Sequence, residues 1–264
     1  MIVCADDYGL HPDNDAAILE LAQAGRISAV SVMVALGSPP TDTAALAALG
    51  GRVDLGLHLV LTGEGRPLSE RPLSLLAGGG FCGMAELTRR GLLGLLRPID
   101  LFAEIQAQLE AFQALFGRQP DYLDGHLHVQ QLPGVRGVVA QAAAKQMRRA
   151  PFYVRNAWEP IDAIVRRQVA PWKHLPIAWP ARHFRHLLKK QGVATNNGFA
   201  GVYDYHRWRR FPEYLETFVR TARHPNAIIM THPGHAEPWR RLEFETLRRA
   251  ADLSPNRFQT AEST

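Results

Sequence analysis

The apolar positions of this chain fall into two kinds of segment that alternate along its length. Short runs rich in Val, Ile, Leu and Ala, bounded by polar or turn residues, are typical of buried strands. Longer segments with apolar residues three and four positions apart are typical of amphipathic helices. The predicted strands are 2–5, 27–34, 53–60, 120–124, 152–155, a short one within 193–203, and one from 226 to its end at His232. The predicted helices are 16–22, 41–49, 99–116, 135–147, one or two within 158–190, 212–222 and 240–251.

This alternation of strand and helix predicts an α/β fold built of parallel β/α units. A chain of 264 residues fits a single β/α barrel, and we expect one domain over 1–264 with about seven parallel strands. Long connections are expected near 62–98 and 156–195. Connections of this length are usually functional, so we expect them to cover part of an active site.

Composition narrows the class of protein. No basic segment is followed by a long apolar one, so neither a signal peptide nor a membrane span is predicted, and a cytoplasmic location is the default. Cys4 and Cys82 are too few for a disulfide framework. The net charge of +5 is modest, and the arginines and lysines between Arg148 and Lys190 accompany no nucleic-acid motif. We therefore expect no nucleic-acid partner and interpret these charges as a solvated surface.

Polar side chains gather at the ends of the predicted strands. The first strand ends in Asp6 and Asp7, whose carboxylates repel each other unless a cation or a shared proton lies between them. The alternative is that one aspartate caps the next helix and the other is solvated. Because parallel strands of a barrel open their carboxyl ends onto one face, polar groups from distant strands should meet there. The later strands end in His58, in Asp124 with His126 and His128, in Arg155 and in His232.

These residues offer carboxylates and imidazoles but no usable thiolate, which suits a catalytic divalent metal with open positions for water. A lone strand histidine is more often structural than a ligand. Three strands that end in histidine, together with one that ends in Asp-Asp, favour a metal site. In strand geometry the alternate residues His126 and His128 would share one face. A turn of the backbone at Gly125 would remove that inference.

Four short motifs resemble, in order and spacing, those of the YdjC-like carbohydrate deacetylases. This family includes chitooligosaccharide and diacetylchitobiose deacetylases and hopanoid-biosynthesis-associated relatives. The resemblance extends from Met1 to about Leu247, is weakest over 158–190, and implies a distorted TIM-like barrel with the active site at the carboxyl ends of its strands. The motifs are Ala5-Asp6-Asp7-Tyr8-Gly9, Gly56-Leu57-His58-Leu59, Asp124-Gly125-His126-Leu127-His128 and Thr231-His232-Pro233-Gly234.

The resemblance also implies a reaction, the metal-dependent removal of an N-acetyl group from an amino sugar or sugar conjugate. Carried over to this chain, the divalent ion would be held by Asp7, His58 and His126. Asp6 would be the general base toward the attacking water, and His232 the general acid toward the departing amine. Mg²⁺ is the first expectation for the ion, and Zn²⁺, Mn²⁺ and Co²⁺ remain open.

Three further residues receive supporting roles from the resemblance. Asp124 would orient the ligand imidazoles, since carboxylates commonly fix metal-binding histidines. Arg155 stands where the family often has an arginine after the fifth strand. His126 is preferred over His128 as the metal ligand, and His128 would then contact the substrate.

The chain departs from the family pattern at two positions. Gln130 stands where a further histidine often follows the H-x-H pair, and Asn196 stands where relatives often carry an acid. We expect both residues to line the sugar site, so the substrate stays open. Any of the five tryptophans could stack on a sugar ring.

Two other functions compete with the deacetylase hypothesis. One is hydrolysis of a different amide or ester by the same metal-dependent constellation, and the other is sugar binding without turnover. Retention of Asp6 and His232 favours catalysis, because binding alone needs no acid and base beside the metal. The partners we expect are an N-acetylated sugar and, with no interface identified, a second copy of the chain in a homodimer.

Overall fold

A computed structural model of the chain describes residues 1–63, 65–70, 73–250 and 253–259. The strands are β1 (Ile2–Tyr8), β2 (Ala29–Val32), β3 (Asp54–Leu59), β4 (Leu76–Ala77), β5 (Gly80–Phe81), β6 (Tyr122–Gly125), β7 (Tyr153–Val154), β8 (Ala194–Thr195), β9 (Gly198–Ala200) and β10 (Ala227–Thr231). The helices are α1 (Pro12–Gln23), α2 (Thr43–Ala47), α3 (Met84–Leu92), α4 (Pro98–Phe116), α5 (Arg136–Met147), α6 (Ile161–Arg167), α7 (Pro171–Lys190), α8 (Phe211–Thr221) and α9 (Pro238–Arg249). Three 3-10 segments cover Leu73–Leu75, His126–Gln131 and Tyr205–Arg210.

Eight strands form one sheet in which every neighbouring pair is parallel. Their order is β8-β7-β6-β3-β2-β1-β10-β9. Parallel sheets are stable only when both faces are covered. One face packs against the helices in the larger apolar cluster, and the other forms a second, smaller cluster inside the curled sheet. The predicted α/β barrel is therefore confirmed.

The two edge strands of this sheet are consecutive in the chain. Only Asn196 and Asn197 separate β8 from β9, so the sheet must curl until its edges meet. The buried Asn196 side chain closes the seam: its Oδ1 accepts the Asn156 backbone N–H at 2.7 Å, and its Nδ2 donates to the carbonyls of Asn156 and Gly198 at 2.8 Å each. The two short strands thus act as halves of one interrupted strand, which gives the expected seven strand positions.

The side-chain alternation of each strand decides which residues reach the barrel interior. On β1, Ile2 and Cys4 belong to the inner cluster, whereas Val3 and Ala5 pack against the helices. Asp6 continues the inward row of β1. The same alternation directs residues in or just after four other strands to the inside. These residues are Gly56 and His58, Tyr122 and Asp124, Tyr153 and Arg155, and Ile228, Met230 and His232.

The first long connection carries regular structure that the sequence did not predict, whereas the second holds the two helices expected within 158–190. The segment 62–98 holds the antiparallel β4–β5 hairpin and α3, with residues 64, 71 and 72 outside the described part. The segment 156–195 holds α6 and the 20-residue α7. The last predicted helix ends at Arg249, and its expected final residue, 251, lies outside the described residues. Among the described helices, none combines the length and the apolar character needed to cross a bilayer.

The inward position of Gly56 yields a stability prediction. A Cβ at Gly56 would lie 2.3 Å from the ring of Tyr122, which is fully buried and stacked on Tyr153. We expect Gly56→Ala to lower the free energy of unfolding by about 1–3 kcal/mol, since overpacked cores must shift to relieve such contacts. Gly137→Ala on α5 is the control because, apart from its chain neighbours and the backbone of its own helix, no atom lies within 4 Å of its added Cβ. Urea unfolding should leave this control unchanged or slightly stabilised. Equal midpoints for the two variants would contradict the packing argument.

Candidate active site

Both aspartates of β1 face the same site, although neighbouring strand residues normally point to opposite faces. Asp7 has a φ of +69°, and the pairing of β1 with β2 shifts register between Ala5 and Tyr8. This bulge turns the Asp7 side chain to the side on which Asp6 lies. Left-handed backbone at a non-glycine residue is energetically unfavourable and concentrates at functional sites. Neither aspartate caps α1, whose N-cap is His11.

His58 on β3 is held in a fixed orientation by Asp124 on the neighbouring β6. Its Nδ1 lies 2.6 Å from Asp124 Oδ1, and the second oxygen of Asp124 accepts the Ser31 hydroxyl at 2.6 Å. With Nδ1 occupied, Nε2 is directed at Asp7 Oδ1, 3.4 Å away. Burial alone would lower the pKa of His58, but ion pairing to Asp124 and the contact with Asp7 raise it to about 10. The imidazole is therefore positively charged between the two carboxylates.

Asp7, His58 and His126 form the cluster that could hold a metal ion. Each offers one donor atom, and these atoms lie within 4.8 Å of one another. His126 Nδ1 lies 3.2 Å from the same Asp7 oxygen that faces His58. Burial by itself raises the pKa of Asp7, yet the hydrogen bonds from His126 and His58 hold it well below its usual range. Two imidazoles and one ionised carboxylate are a donor set that fits a divalent ion.

Asp6 is clamped by Arg155 at the bottom of the site. Arg155 Nη1 and Nη2 donate to the two Asp6 oxygens at 2.6 and 2.7 Å, and Nη1 also lies 2.9 Å from Asp124 Oδ2. Burial would raise the pKa of Asp6, but the guanidinium outweighs it and holds that pKa below the usual range. Cys4, Asp6 and Asp124 could formally hold a second cation. Arg155 already supplies the positive charge there.

The H-x-H pair does not adopt strand geometry, and the inference that both histidines share one face is wrong. The chain leaves β6 at Gly125 and enters a 3-10 segment in which Leu127 and His128 have φ values of +52° and +60°. His126 consequently points to Asp7, whereas His128 packs edge-on against the Phe199 ring. Burial lowers the pKa of His128 to about 3, so this imidazole is neutral.

His232 directly follows β10, which pairs with β1 in the sheet. Its Nε2 lies 3.9 Å from Asp6 Oδ2, and its Nδ1 lies 3.2 Å from the hydroxyl of Tyr205. Its backbone N–H donates to the buried Glu243 at 2.6 Å. Burial lowers the pKa of His232 to about 4 and raises the pKa of Glu243 to about 7. The imidazole of His232 is therefore neutral at pH 7.

All eight polar residues expected at the site meet in or beneath one pocket of about 550 Å³ at the carboxyl ends of the strands. Asp124 is fully buried under this pocket, and the other seven line it. Met84 at the start of α3 and Lys173 near the start of α7 form its rim, so both long connections contribute to its wall. Of the five tryptophans, Trp239 lines the pocket.

The expectation that Gln130 and Asn196 line the sugar site is wrong. Both side chains are fully buried. Gln130 Nε2 donates to the backbone carbonyl of Arg155 at 3.2 Å, and Asn196 closes the barrel seam. Both departures from the family pattern therefore lie in the frame of the site and not in the pocket wall.

Sequence reasoning missed two residues that contact the predicted site. Arg240 at the start of α9 donates to Asp7 Oδ2 at 2.7 Å, which leaves the other Asp7 oxygen facing the histidines. Tyr205 reaches His232 from a 3-10 segment. In the sequence, Arg240 belongs to an Arg-Arg pair on a predicted helix and Tyr205 to an unassigned polar stretch. Neither residue is at a strand end, where the sequence pattern places the site.

The chain is similar in sequence to one protein family and to named deacetylases. A family model described as "YdjC-like protein" matches residues 1–259. A carbohydrate deacetylase from Homo sapiens is 38% identical over 146 residues, which is 54% of this chain and 44% of that protein. A chitooligosaccharide deacetylase from Serratia marcescens is 36% identical over 146 residues, 55% of this chain and 56% of that protein. The match thus spans about half the length of these curated relatives.

A solved structure shares the fold over nearly the whole chain. It is a proposed cellobiose-phosphate cleavage protein from Enterococcus faecalis, with a TM-score of 0.68 and 19% sequence identity. The superposition covers 94% of this chain and 90% of that one. At this identity the likeness establishes the architecture of the barrel and nothing about the reaction.

Proposed function

The chain belongs to the YdjC-like family, and from that premise we propose that it is a metal-dependent hydrolase that removes the N-acetyl group of an amino sugar or sugar conjugate. One observation carries the proposal: a three-donor cluster for a divalent ion lies beside a clamped carboxylate and a neutral imidazole in a single pocket. The relatives named for carbohydrate and chitooligosaccharide deacetylation support the substrate class.

Asp7, His58 and His126 are the residues proposed to hold the ion. A divalent ion bound there would supply a Lewis acid that polarises the acetyl carbonyl and acidifies water. Asp124 fixes the His58 ring so that Nε2 faces the cluster. Arg240 occupies the second oxygen of Asp7, so that Asp7 offers one oxygen to the cluster.

Asp6 is the proposed acceptor of the water proton. It is ionised, and Arg155 fixes both of its oxygens, so the carboxylate need not reorient when a proton moves. The neutral imidazole of His232 must receive the proton that it later donates. Nε2 lies 3.9 Å from Asp6 Oδ2, which is too far for a direct hydrogen bond. We propose that the proton passes from Asp6 to Nε2 through one bridging water and then to the departing amine nitrogen. Water thus supplies the hydroxyl of the acetic acid and the proton of the amine.

The proposal is tested by the acetate released from a panel of substrates. The panel contains N-acetylglucosamine, N-acetylated chitooligosaccharides, an N-acetylated glycolipid head group and a simple acetate ester. Metal-stripped protein is assayed alone and with added Mg²⁺, Zn²⁺, Mn²⁺ or Co²⁺. Metal-dependent acetate from a sugar amide is the expected result. Turnover of the ester alone would favour a different hydrolase, and sugar binding without any acetate would favour a binding protein.

The pKa of His58 predicts how metal affinity depends on pH. Without an ion, His58 keeps its proton up to about pH 10 because Asp124 and Asp7 stabilise the imidazolium. An ion can bind Nε2 only after one proton leaves, so affinity should rise about tenfold per pH unit between pH 7 and 9. Competition with a fluorescent chelator at three pH values measures the slope. An affinity that does not change over this range would contradict the assignment of His58 as a ligand.

A further inference from the structure

The two ring nitrogens of His232, the proposed proton donor to the amine, face two chemically different side chains. Nε2 faces the Asp6 carboxylate, and Nδ1 faces the phenol of Tyr205. In enzymes that use a histidine for proton transfer, the group that binds one nitrogen decides which nitrogen carries the resting proton. A carboxylate often takes this part. Here Glu243 accepts the backbone N–H of His232, and the phenol of Tyr205 faces Nδ1.

Tyr205 itself is held in place by aromatic packing and a shared carboxylate. Its ring lies 4.8 Å from Trp239 in an edge-to-face arrangement and 4.7 Å from Tyr203. The Tyr203 hydroxyl donates to one oxygen of Glu243, whose other oxygen accepts the His232 backbone N–H. Glu243 therefore ties the segment that carries Tyr205 to the strand end that carries His232. Tyr205 thus lines the wall of the pocket and is 39% exposed.

We propose that Tyr205 is a positioning residue that accepts a hydrogen bond from Nδ1–H of His232 and thereby keeps Nε2 free to take a proton from Asp6. The inference deepens the proposed function and rests on it for its kinetic part. With Nδ1–H directed at the phenol oxygen, the lone pair of Nε2 faces Asp6, which is the arrangement that the proton path needs. Without the phenol oxygen, the imidazole proton could sit on either nitrogen, and the ring could turn away from Asp6.

The first test is spectroscopic and needs no substrate. Protein labelled with ¹⁵N-histidine is compared with a His232→Gln sample to identify the His232 signals, and the imidazole shifts report which nitrogen is protonated at pH 7. The expected result is Nδ1–H in the parent protein and a mixture of the two forms in Tyr205→Phe. Tyr214→Phe is the matched control, because Tyr214 packs near Tyr203 but does not line the pocket. A parent protein protonated on Nε2 would overturn the inference.

The second test is kinetic and uses an acetylated sugar that the panel identifies. Tyr205→Phe should lower kcat at least about tenfold, as loss of an orienting partner commonly does, with KM within about twofold and Tyr214→Phe unchanged. A rise in KM at constant kcat would instead make Tyr205 a substrate contact and overturn the inference. If no substrate is turned over, the proposed function fails while the spectroscopic test still decides the role of Tyr205.

Discussion

Replacing Asp6 by asparagine is expected to lower kcat by about 10²- to 10⁴-fold while the protein still binds a divalent ion, because a general base contributes about this much. Asparagine keeps the size of the side chain and one acceptor oxygen toward Arg155 but cannot take a proton from water. Asp6 is outside the three-donor cluster, so the affinity for the ion should stay within a few-fold of the parent value.

The control for Asp6→Asn must separate lost chemistry from lost stability. Breaking the Asp6–Arg155 pair leaves a buried guanidinium with less charge compensation, although Asp124 still contacts Nη1. Asp100→Asn removes the charge of another buried aspartate, which accepts the Ser74 backbone N–H far along the chain from the site. Acetate release and ion titration are measured for both variants. An Asp6→Asn protein with parent-like kcat would remove Asp6 from the mechanism.

Replacing His58 by alanine is expected to weaken the binding of the divalent ion at least about 100-fold and to reduce turnover to background. The change removes one of three donors and leaves Asp124 without the imidazole that it orients. Loss of an orienting partner alone commonly costs 10- to 100-fold in affinity, and loss of a direct ligand should cost no less. Isothermal titration measures the affinity, and excess ion should restore turnover only in part.

His174→Ala is the matched control for His58→Ala. Both histidines are almost fully buried, so both truncations leave a cavity of similar size. His174 packs against Phe199 from α7 and is not part of the donor cluster or the pocket wall. The control should therefore lose stability but keep the ion. Equal loss of the ion in both variants would show that the effect of His58→Ala reflects general destabilisation.

The sequence predicted the barrel and the strand ends at which the site lies because both depend on local patterns. Alternating strands and helices can bury their apolar faces as parallel β/α units, and such strands open on one face. Asp6, His58 and His232 lie at that face because each continues an inward row of its own strand. The division of the last strand position into β8 and β9 could not be predicted. Two short apolar runs on either side of Asn196 do not show that this part of the chain joins the two edges of the sheet.

The parts of the site that sequence reasoning missed depend on backbone turns and on partners distant in the chain. The φ of +69° at Asp7 and the turn after Gly125 redirect side chains, and a period-two pattern contains no sign of either. Arg240 reaches Asp7 across 233 residues of sequence. Its position is set by how α9 packs against α1 and α8. Such contacts follow from tertiary packing, and no local motif marks them.

The measurement that tests the central claim most directly is a back-titration of metal-stripped protein with one divalent ion during turnover of an N-acetylated chitooligosaccharide. Acetate release and bound ion are recorded on the same samples. We expect no acetate without the ion, a rate that rises in proportion to occupancy, and a plateau at about one ion per chain, as a single three-donor site requires. Acetate release that is independent of the ion, or full occupancy without acetate from any sugar amide, would contradict it.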